Sequence, residues 1–198
     1  MAAPRRVVLA TGNAGKVREI AALLAPLAIE IVPQTALGIA SAEETGDTFE
    51  ANALLKARHA AGAANLPALA DDSGIEVDAL GGRPGVWSAR YAGAGASDAD
   101  NNALLLEELA GVPAAQRTAR YRCVLAYVSD AADLAPLIAC GSWEGSIGAA
   151  PLGTGGFGYD PLFVPAGGSV TAAQMSALDK NAVSHRSAAL AELVRLLR

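Results

Sequence analysis

Asp71 and Asp72 stand side by side after an apolar run, Leu66-Pro67-Ala68-Leu69-Ala70, and before Ser73-Gly74 and the alternating stretch Ile75-Glu76-Val77-Asp78. Alternation at period two reads as a strand with one buried face, and Ser73-Gly74 reads as a turn. Two carboxylates where a buried strand meets a turn are costly to place unless their charge is offset. A divalent cation, nearby lysines or a shared proton would each do so. The pair is a candidate metal and general-base site; Asp-Ser-Gly taken alone would read as a solvated hairpin turn.

A second constellation suits an anion. Val7-Val8-Leu9-Ala10 is a continuous apolar run, as in a strand covered on both faces. Thr11-Gly12-Asn13-Ala14-Gly15-Lys16 follows, and Val17, Ile20, Leu23 and Leu24 then recur at helical spacing. Strand, glycine loop and helix in that order aim backbone N–H groups and a helix N-terminus at whatever lies above the loop, and Lys16 adds a positive charge. The loop has neither the Walker A spacing nor the dinucleotide fingerprint. A third pair, Asn52 and Lys56, is four residues apart and shares one helix face.

Two glycine-rich or basic stretches complete the chemistry. Gly153-Thr154-Gly155-Gly156-Phe157-Gly158-Tyr159-Asp160-Pro161 combines four glycines with two aromatics. Such backbone admits a flat ligand closely, with Phe157 or Tyr159 stacking on it. Asp179-Lys180-Asn181-Ala182-Val183-Ser184-His185-Arg186 holds one of only two histidines beside two cations.

The elements that must position these groups follow from pattern. Ile29 to Pro33 reads as a second strand, and an acidic loop, Ser41 to Asp47, comes next. Asp47 with Glu50 predicts the cap of a helix over about Thr48 to Ala64. Gly81-Gly82-Arg83-Pro84-Gly85 is a turn cluster, leading to Trp87, Arg90 and Tyr91 as lining for a pocket or a subunit contact. Ser97 with Asp100 opens a helix carrying Leu104, Leu105, Leu106 and Leu109. Tyr121 to Val128 and Leu134 to Ile147 read as two strands joined around Ser129-Asp130. A last helical region is expected from Thr171, with Gln174 as capping partner and Leu190, Leu193, Val194 and Leu197 as its apolar stripe.

The totals bound the answer. A chain of 198 residues, 52% hydrophobic and 18% charged, is expected to form a single domain over 1–198 rather than a disordered segment. A net charge of −5 argues against a partner in nucleic acid, although a few convergent cations can still hold a polyphosphate. Cys123 and Cys140 each sit in an apolar run without zinc or redox spacing, and are expected to be buried free thiols. The run after Arg5-Arg6 is too short for a signal peptide. The longest uncharged run, from Pro161 to Leu178, holds prolines, glycines, Ser169, Thr171 and Gln174 and is no membrane span. The expectation is a soluble cytoplasmic protein with no membrane partner.

Read jointly, five motifs carry a resemblance. Leu9 to Lys16, Ala70-Asp71-Asp72-Ser73-Gly74, Ser88-Ala89-Arg90-Tyr91, Gly155-Gly156-Phe157-Gly158-Tyr159-Asp160 and Ser184-His185-Arg186 occur in this order. From Val7 to about Leu197 the chain resembles the inosine triphosphate pyrophosphatase family, most of all its bacterial members. The resemblance implies an α/β fold, a long central mixed sheet flanked by helices that form two lobes around a substrate cleft, and a homodimer. The implied reaction is hydrolysis of inosine, deoxyinosine and xanthosine triphosphates to the monophosphate and pyrophosphate, with Mg2+, clearing deaminated purines from the nucleotide pool.

Carried over by position, the resemblance gives Thr11, Gly12, Asn13, Ala14, Gly15 and Lys16 to the triphosphate, Asp72 to the general base and the metal, and Glu43 to the metal. Asn52, Lys56 and Ser73 would contact substrate. Phe157, Gly158, Tyr159 and Asp160 would surround the base and sugar, and Lys180, His185 and Arg186 would close the pocket and read the 6-keto group. Ala51 departs from the pattern, standing where many relatives carry a glutamate before the asparagine; Glu50 beside it would project about 100° away on a helix. Alternatives are a pyrophosphatase of related fold acting on other nucleoside triphosphates, as in the septum-formation-inhibitor family, and a nucleotide-binding module without catalysis.

Overall fold

A computed structural model describes residues 5–24 and 29–198, excluding the side chains of Glu19, Ala22 and Leu23. The chain is α/β. Its strands are β1 (Arg5–Leu9), β2 (Ile29–Pro33), β3 (Ala68–Val77), β4 (Thr118–Val128), β5 (Leu137–Ile147) and β6 (Phe163–Pro165). Its helices are α1 (Ala14–Leu24), α2 (Phe49–Ala64), α3 (Asp98–Glu108), α4 (Ala177–Val183) and α5 (His185–Leu196). The strands form one mixed sheet in the order β2-β1-β3-β4-β5-β6. β1 runs parallel to β2 and β3, while β6 runs antiparallel to β5.

The described residues divide into two compact units. The first comprises residues 1–72, 123–141 and 186–198, the second residues 73–122 and 142–185. Each has its own core. In the first, Val7, Leu9, Ile20, Leu24, Leu69, Leu125, Leu190 and Leu193 are buried together. In the second the buried residues are Ile75, Val77, Leu105, Leu109, Tyr121, Trp143, Ile147, Tyr159, Leu162 and Phe163.

Register explains where the polar residues of the first unit emerge. Pairing of β1 with β3 ends at Val8↔Ala68 and Leu9↔Leu69, and the Ala10 N–H donates to the Leu69 carbonyl at 2.8 Å. Beyond that point β1 gives way to the Thr11–Lys16 loop while β3 runs on into Asp71 and Asp72. Loop and carboxylates thus share the carboxyl end of a parallel strand pair, where α/β sheets hold ligands.

Several expectations are corrected. Ser73-Gly74 is not a turn: β3 continues unbroken to Val77 and is buried along most of its length. In the sheet order β3 has a neighbour on each side, so its ladder hydrogen bonds outweigh the local turn preference. The α2 cap is Thr48, not Asp47; its extended backbone lets the hydroxyl accept from Ala51 N at 3.1 Å. The Thr171–Gln174 box exists but closes a single 3-10 turn, because Met175 returns to extended backbone; α4 is capped by Ser176. β5 starts at Leu137, leaving Leu134 97% exposed in the preceding loop. Cys123 is buried as expected, but Cys140 is exposed, because β5 alternates and Ala139 takes the inward position.

Of the stripe proposed for α1, Ile20 and Leu24 are buried, and Leu23 lies outside the described side chains. The Ser97–Asp100 capping box at α3 stands as expected; of the last stripe, Leu190 and Leu193 are buried on α5, Val194 is partly buried there, and Leu197 packs just beyond the helix end.

Candidate active site

In the first unit the glycine loop is organised by its own side chains. Asn13 Oδ1 accepts from Gly15 N at 2.8 Å and Lys16 N at 3.2 Å, and Thr11 Oγ1 accepts from Asn13 N at 3.2 Å. Asn13 therefore caps α1, and Ala14, Gly15 and Lys16 form its first turn. Gly12, Asn13 and Ala14 are exposed there, as an anion-receiving loop requires.

Geometry separates the two aspartates. Successive side chains on a strand face opposite ways. Asp71 is fully buried against cations: Lys16 Nζ stands 3.0 Å away and Arg186 Nε 3.6 Å away. Burial pushes its carboxyl up, but the charges of Lys16, Arg186 and Lys56 prevail and hold it well below the usual carboxylate range. Asp71 anchors two cations, Lys16 and Arg186.

Asp72 meets α2 instead. Its Oδ1 lies 2.7 Å from Lys56 Nζ, and Asn52 Nδ2 donates to its Oδ2 at 3.4 Å. Here burial dominates and raises the carboxyl above its ordinary value, with Lys56 pulling the other way and Glu44 adding to the rise. Lys56 also reaches Glu44 Oε1 at 2.6 Å. Burial pulls that ammonium down, yet Asp72, Asp71 and Glu44 outweigh it and leave Lys56 above its ordinary value. One lysine is thus shared by two carboxylates. Asn52, with no exposed surface, joins the same cluster to the acidic loop: its Oδ1 accepts from Gly46 N at 2.7 Å.

Within the acidic loop the residue brought to Lys56 is Glu44, while Glu43 is exposed. The two acids are sequence neighbours, so pattern alone could not separate them. The loop is tethered by Gln34 Nε2 donating to Ser41 Oγ at 3.0 Å and by His59 Nε2, 2.9 Å from the Ala40 carbonyl. Ala51 is exposed at the start of α2.

The second unit holds the aromatic loop. Asp160 is 2% exposed and is its hub. Its Oδ2 accepts from Phe157 N at 2.9 Å and Lys180 Nζ at 2.6 Å, and its Oδ1 accepts from Tyr121 OH at 3.2 Å. Gly156, at φ +74°, is obligatory, since a Cβ there would lie 1.9 Å from Asp160 Oδ2. Lys180 Nζ stands 5.1 Å from the centre of the Phe157 ring. α3 clamps the next peptide: Gly158 N donates to Asp98 Oδ2 at 2.6 Å, and Asn102 Nδ2 donates to the Gly158 carbonyl at 2.9 Å. Asp98, Asn102 and Leu106 line a groove of about 450 Å³ with the loop from Gly153 to Gly158.

Two of the aromatic-loop residues are buried. Tyr159 is 4% exposed and donates its hydroxyl to the Ser88 carbonyl at 2.9 Å, so it belongs to the core, whereas Phe157 is half-buried. Asp160 and the ammonium of Lys180 spend their charges on each other. Ser73 is half-buried. His185 is 3% exposed and stacked on Tyr121. Arg90 lies over Trp87, its guanidinium 4.5 Å from that ring centre, and Tyr91 donates to Glu108. Tyr121, Asp98 and Asn102 carried no recognisable sequence signal, since each is ordinary for its strand or helix.

A capped helix start beside a buried aspartate–lysine–glutamate bridge, at the carboxyl end of parallel strands, is the equipment of an α/β enzyme acting on phosphate anhydrides. Within that class the chain belongs to the Ham1 family, whose family model matches residues 7–196. It is 58% identical to a dITP/XTP pyrophosphatase of Methylococcus capsulatus over 98% of this chain and 96% of that protein. It is 56% identical to the dITP/XTP pyrophosphatase of Escherichia coli K12, over 98% of each. The solved structure of a HAM1 protein from Coxiella burnetii matches with a TM-score of 0.91 at 46% identity, covering 98% of both chains.

Proposed function

We propose that this protein is a nucleoside triphosphate pyrophosphatase that cleaves non-standard purine triphosphates (dITP, ITP and XTP) to the monophosphate and pyrophosphate. Membership of the Ham1 family and the named activity of relatives above 55% identity support the reaction. The observation that carries the chemistry is Asp72: buried, raised in basicity and oriented by Asn52 and Lys56. We read residues 1–198 as one catalytic domain made of two units, because each unit is assembled from several chain segments.

Asp72 is the general base that takes a proton from the attacking water, its carboxylate oriented by the Lys56 ammonium and the Asn52 amide. Lys16 and the Thr11–Lys16 backbone receive the triphosphate, and Asp71 keeps Lys16 and Arg186 in place. Lys56 is the second cation available to the anhydride. The oxygen donors of Asp72 and the acidic loop fit magnesium, which takes hard oxygen ligands and uses one or two carboxylates beside substrate phosphates. Asp72 with Glu43 and its neighbour Glu44 would hold it. When bound, magnesium neutralises charge that develops on the phosphate oxygens.

Phe157 stacks on the base, Gly158 and Ser73 line it, and His185 with Arg186 and Lys180 reads the purine edge. Adenine presents an amino group where hypoxanthine and xanthine present a keto oxygen, leaving the site's donors unpaired; guanine shares the keto oxygen and is told apart by its 2-amino group, rejected by shape or by an unpaired partner. We further propose a cytoplasmic homodimer that binds neither nucleic acid nor membrane. The net charge of −5 supports the former, and among the described residues no helix is long and apolar enough to cross a membrane.

The test is pyrophosphate release from dITP, XTP, dGTP and dATP with Mg2+, for the wild type and Asp72→Asn. Turnover of the first two is expected, with a loss of at least about a hundredfold in kcat for the variant. Equal turnover of all four would overturn the selectivity. Tight dITP binding without pyrophosphate release would leave a binding module.

A further inference from the structure

Tyr121 lies on β4, 7% exposed, between the two elements that would read the base. Its ring faces the His185 imidazole with centres 4.7 Å apart and planes 9° from parallel. Phe163 and Trp143 pack around it, at 4.8 and 6.3 Å. Its hydroxyl donates to Asp160 Oδ1, and the other oxygen of that carboxylate holds the Phe157 N–H and the Lys180 ammonium. One side chain therefore touches His185 by its face and Phe157 by one intervening carboxylate.

We propose that Tyr121 is a positioning residue for base selection, setting the plane of His185 and coupling it through Asp160 to Phe157. This rests on the reading that His185 and Phe157 face the purine. A near-parallel stack at this spacing restrains the imidazole's rotation about its ring bond, because a large tilt drives its edge into the tyrosine face. A hydrogen bond to a 6-keto oxygen needs the ring edge at one orientation. Holding that orientation before substrate arrives aims one ring nitrogen at the purine 6-position, and carrying the proton there it pairs with a keto oxygen and meets only another donor on an amino purine. The hydroxyl–Asp160 bond adds a second restraint by fixing the tyrosine itself.

The experiment compares Tyr121→Leu, Tyr121→Phe, His185→Ala and a core control, Phe163→Leu, which trims the same cluster while keeping the Tyr121 ring and hydroxyl. The readouts are KM, kcat and the ratio of kcat/KM for dITP to that for dATP, with melting temperature as the measure of packing. Tyr121→Leu is expected to raise KM for dITP and to lower the ratio about tenfold, with kcat within about twofold. Tyr121→Phe, which keeps the stack, restores most of the ratio, and Phe163→Leu loses melting temperature without losing selectivity.

A wild-type ratio in Tyr121→Leu, or an equal fall in Phe163→Leu, overturns the proposal. His185→Ala separates it from its premise. Unchanged selectivity there removes His185 from base reading, and the positioning role falls with it; lost selectivity there beside a wild-type Tyr121→Leu refutes the positioning role alone. Should Tyr121→Leu fail to fold, the histidine NMR signals of the wild type decide, since the chain has only His59 and His185. Ring protons of His185 shifted upfield of those of exposed His59 support the stack, and coincident shifts overturn it.

Discussion

Replacing Lys180 with methionine tests the core of the aromatic loop. The Lys180 and Asp160 side chains are 8% and 3% exposed and meet at 2.6 Å. Removing one member of a buried ion pair typically costs about 3–5 kcal/mol, since the other charge is left in a poor solvent. Asp160 would keep the Tyr121 O–H and the Phe157 N–H, so the lower end applies, about 3 kcal/mol. For a chain of this length each kcal/mol corresponds to about 2–4 °C, so Tm should fall by about 6–12 °C. Both tryptophans, Trp87 and Trp143, belong to the second unit, so their emission during urea unfolding reports the unit that carries the pair. Adding Asp160→Asn to Lys180→Met removes the stranded charge and should recover at least about half of the loss. A single variant that loses under about 1 kcal/mol, or a double variant as unstable as the two single losses summed, would refute the reasoning.

Two further outcomes follow from geometry. Gly46→Ala would place a Cβ 2.8 Å from both Asn52 Oδ1 and the Ala51 methyl, displacing the acidic loop. A fall in kcat/KM of about ten- to a hundredfold is expected, with more Mg2+ needed for half-maximal rate; steady-state kinetics across a Mg2+ series checks both. The two cysteines should differ sharply in reactivity. Burial pushes the Cys123 thiol up to about 12, whereas Cys140 is exposed. Alkylation of the native protein at pH 8, followed by peptide mass spectrometry, should therefore label Cys140 and spare Cys123 until denaturant is added.

The sequence alone carried the strand–loop–helix at Val7–Leu24, the strand at Ile29–Pro33, the α3 capping box and the carboxylate pair. Each is written in local periodicity, capping chemistry or residue type, which act over a few residues. The family resemblance added roles, by position, to residues whose pattern was silent. Tertiary structure decided the rest. Asp71 and Asp72 are equivalent in sequence and become different only when Lys16 and Arg186 meet one face of β3 and Asn52 and Lys56 the other. Glu44 rather than Glu43 reaches Lys56, and Tyr159 rather than Phe157 is buried. Ser73-Gly74 stays extended because strand pairing supplies hydrogen bonds that a local turn preference cannot match. The residues that do chemistry can be recognised by type, but the charge each carries depends on neighbours from distant parts of the chain, and only folding brings those neighbours within a few ångströms.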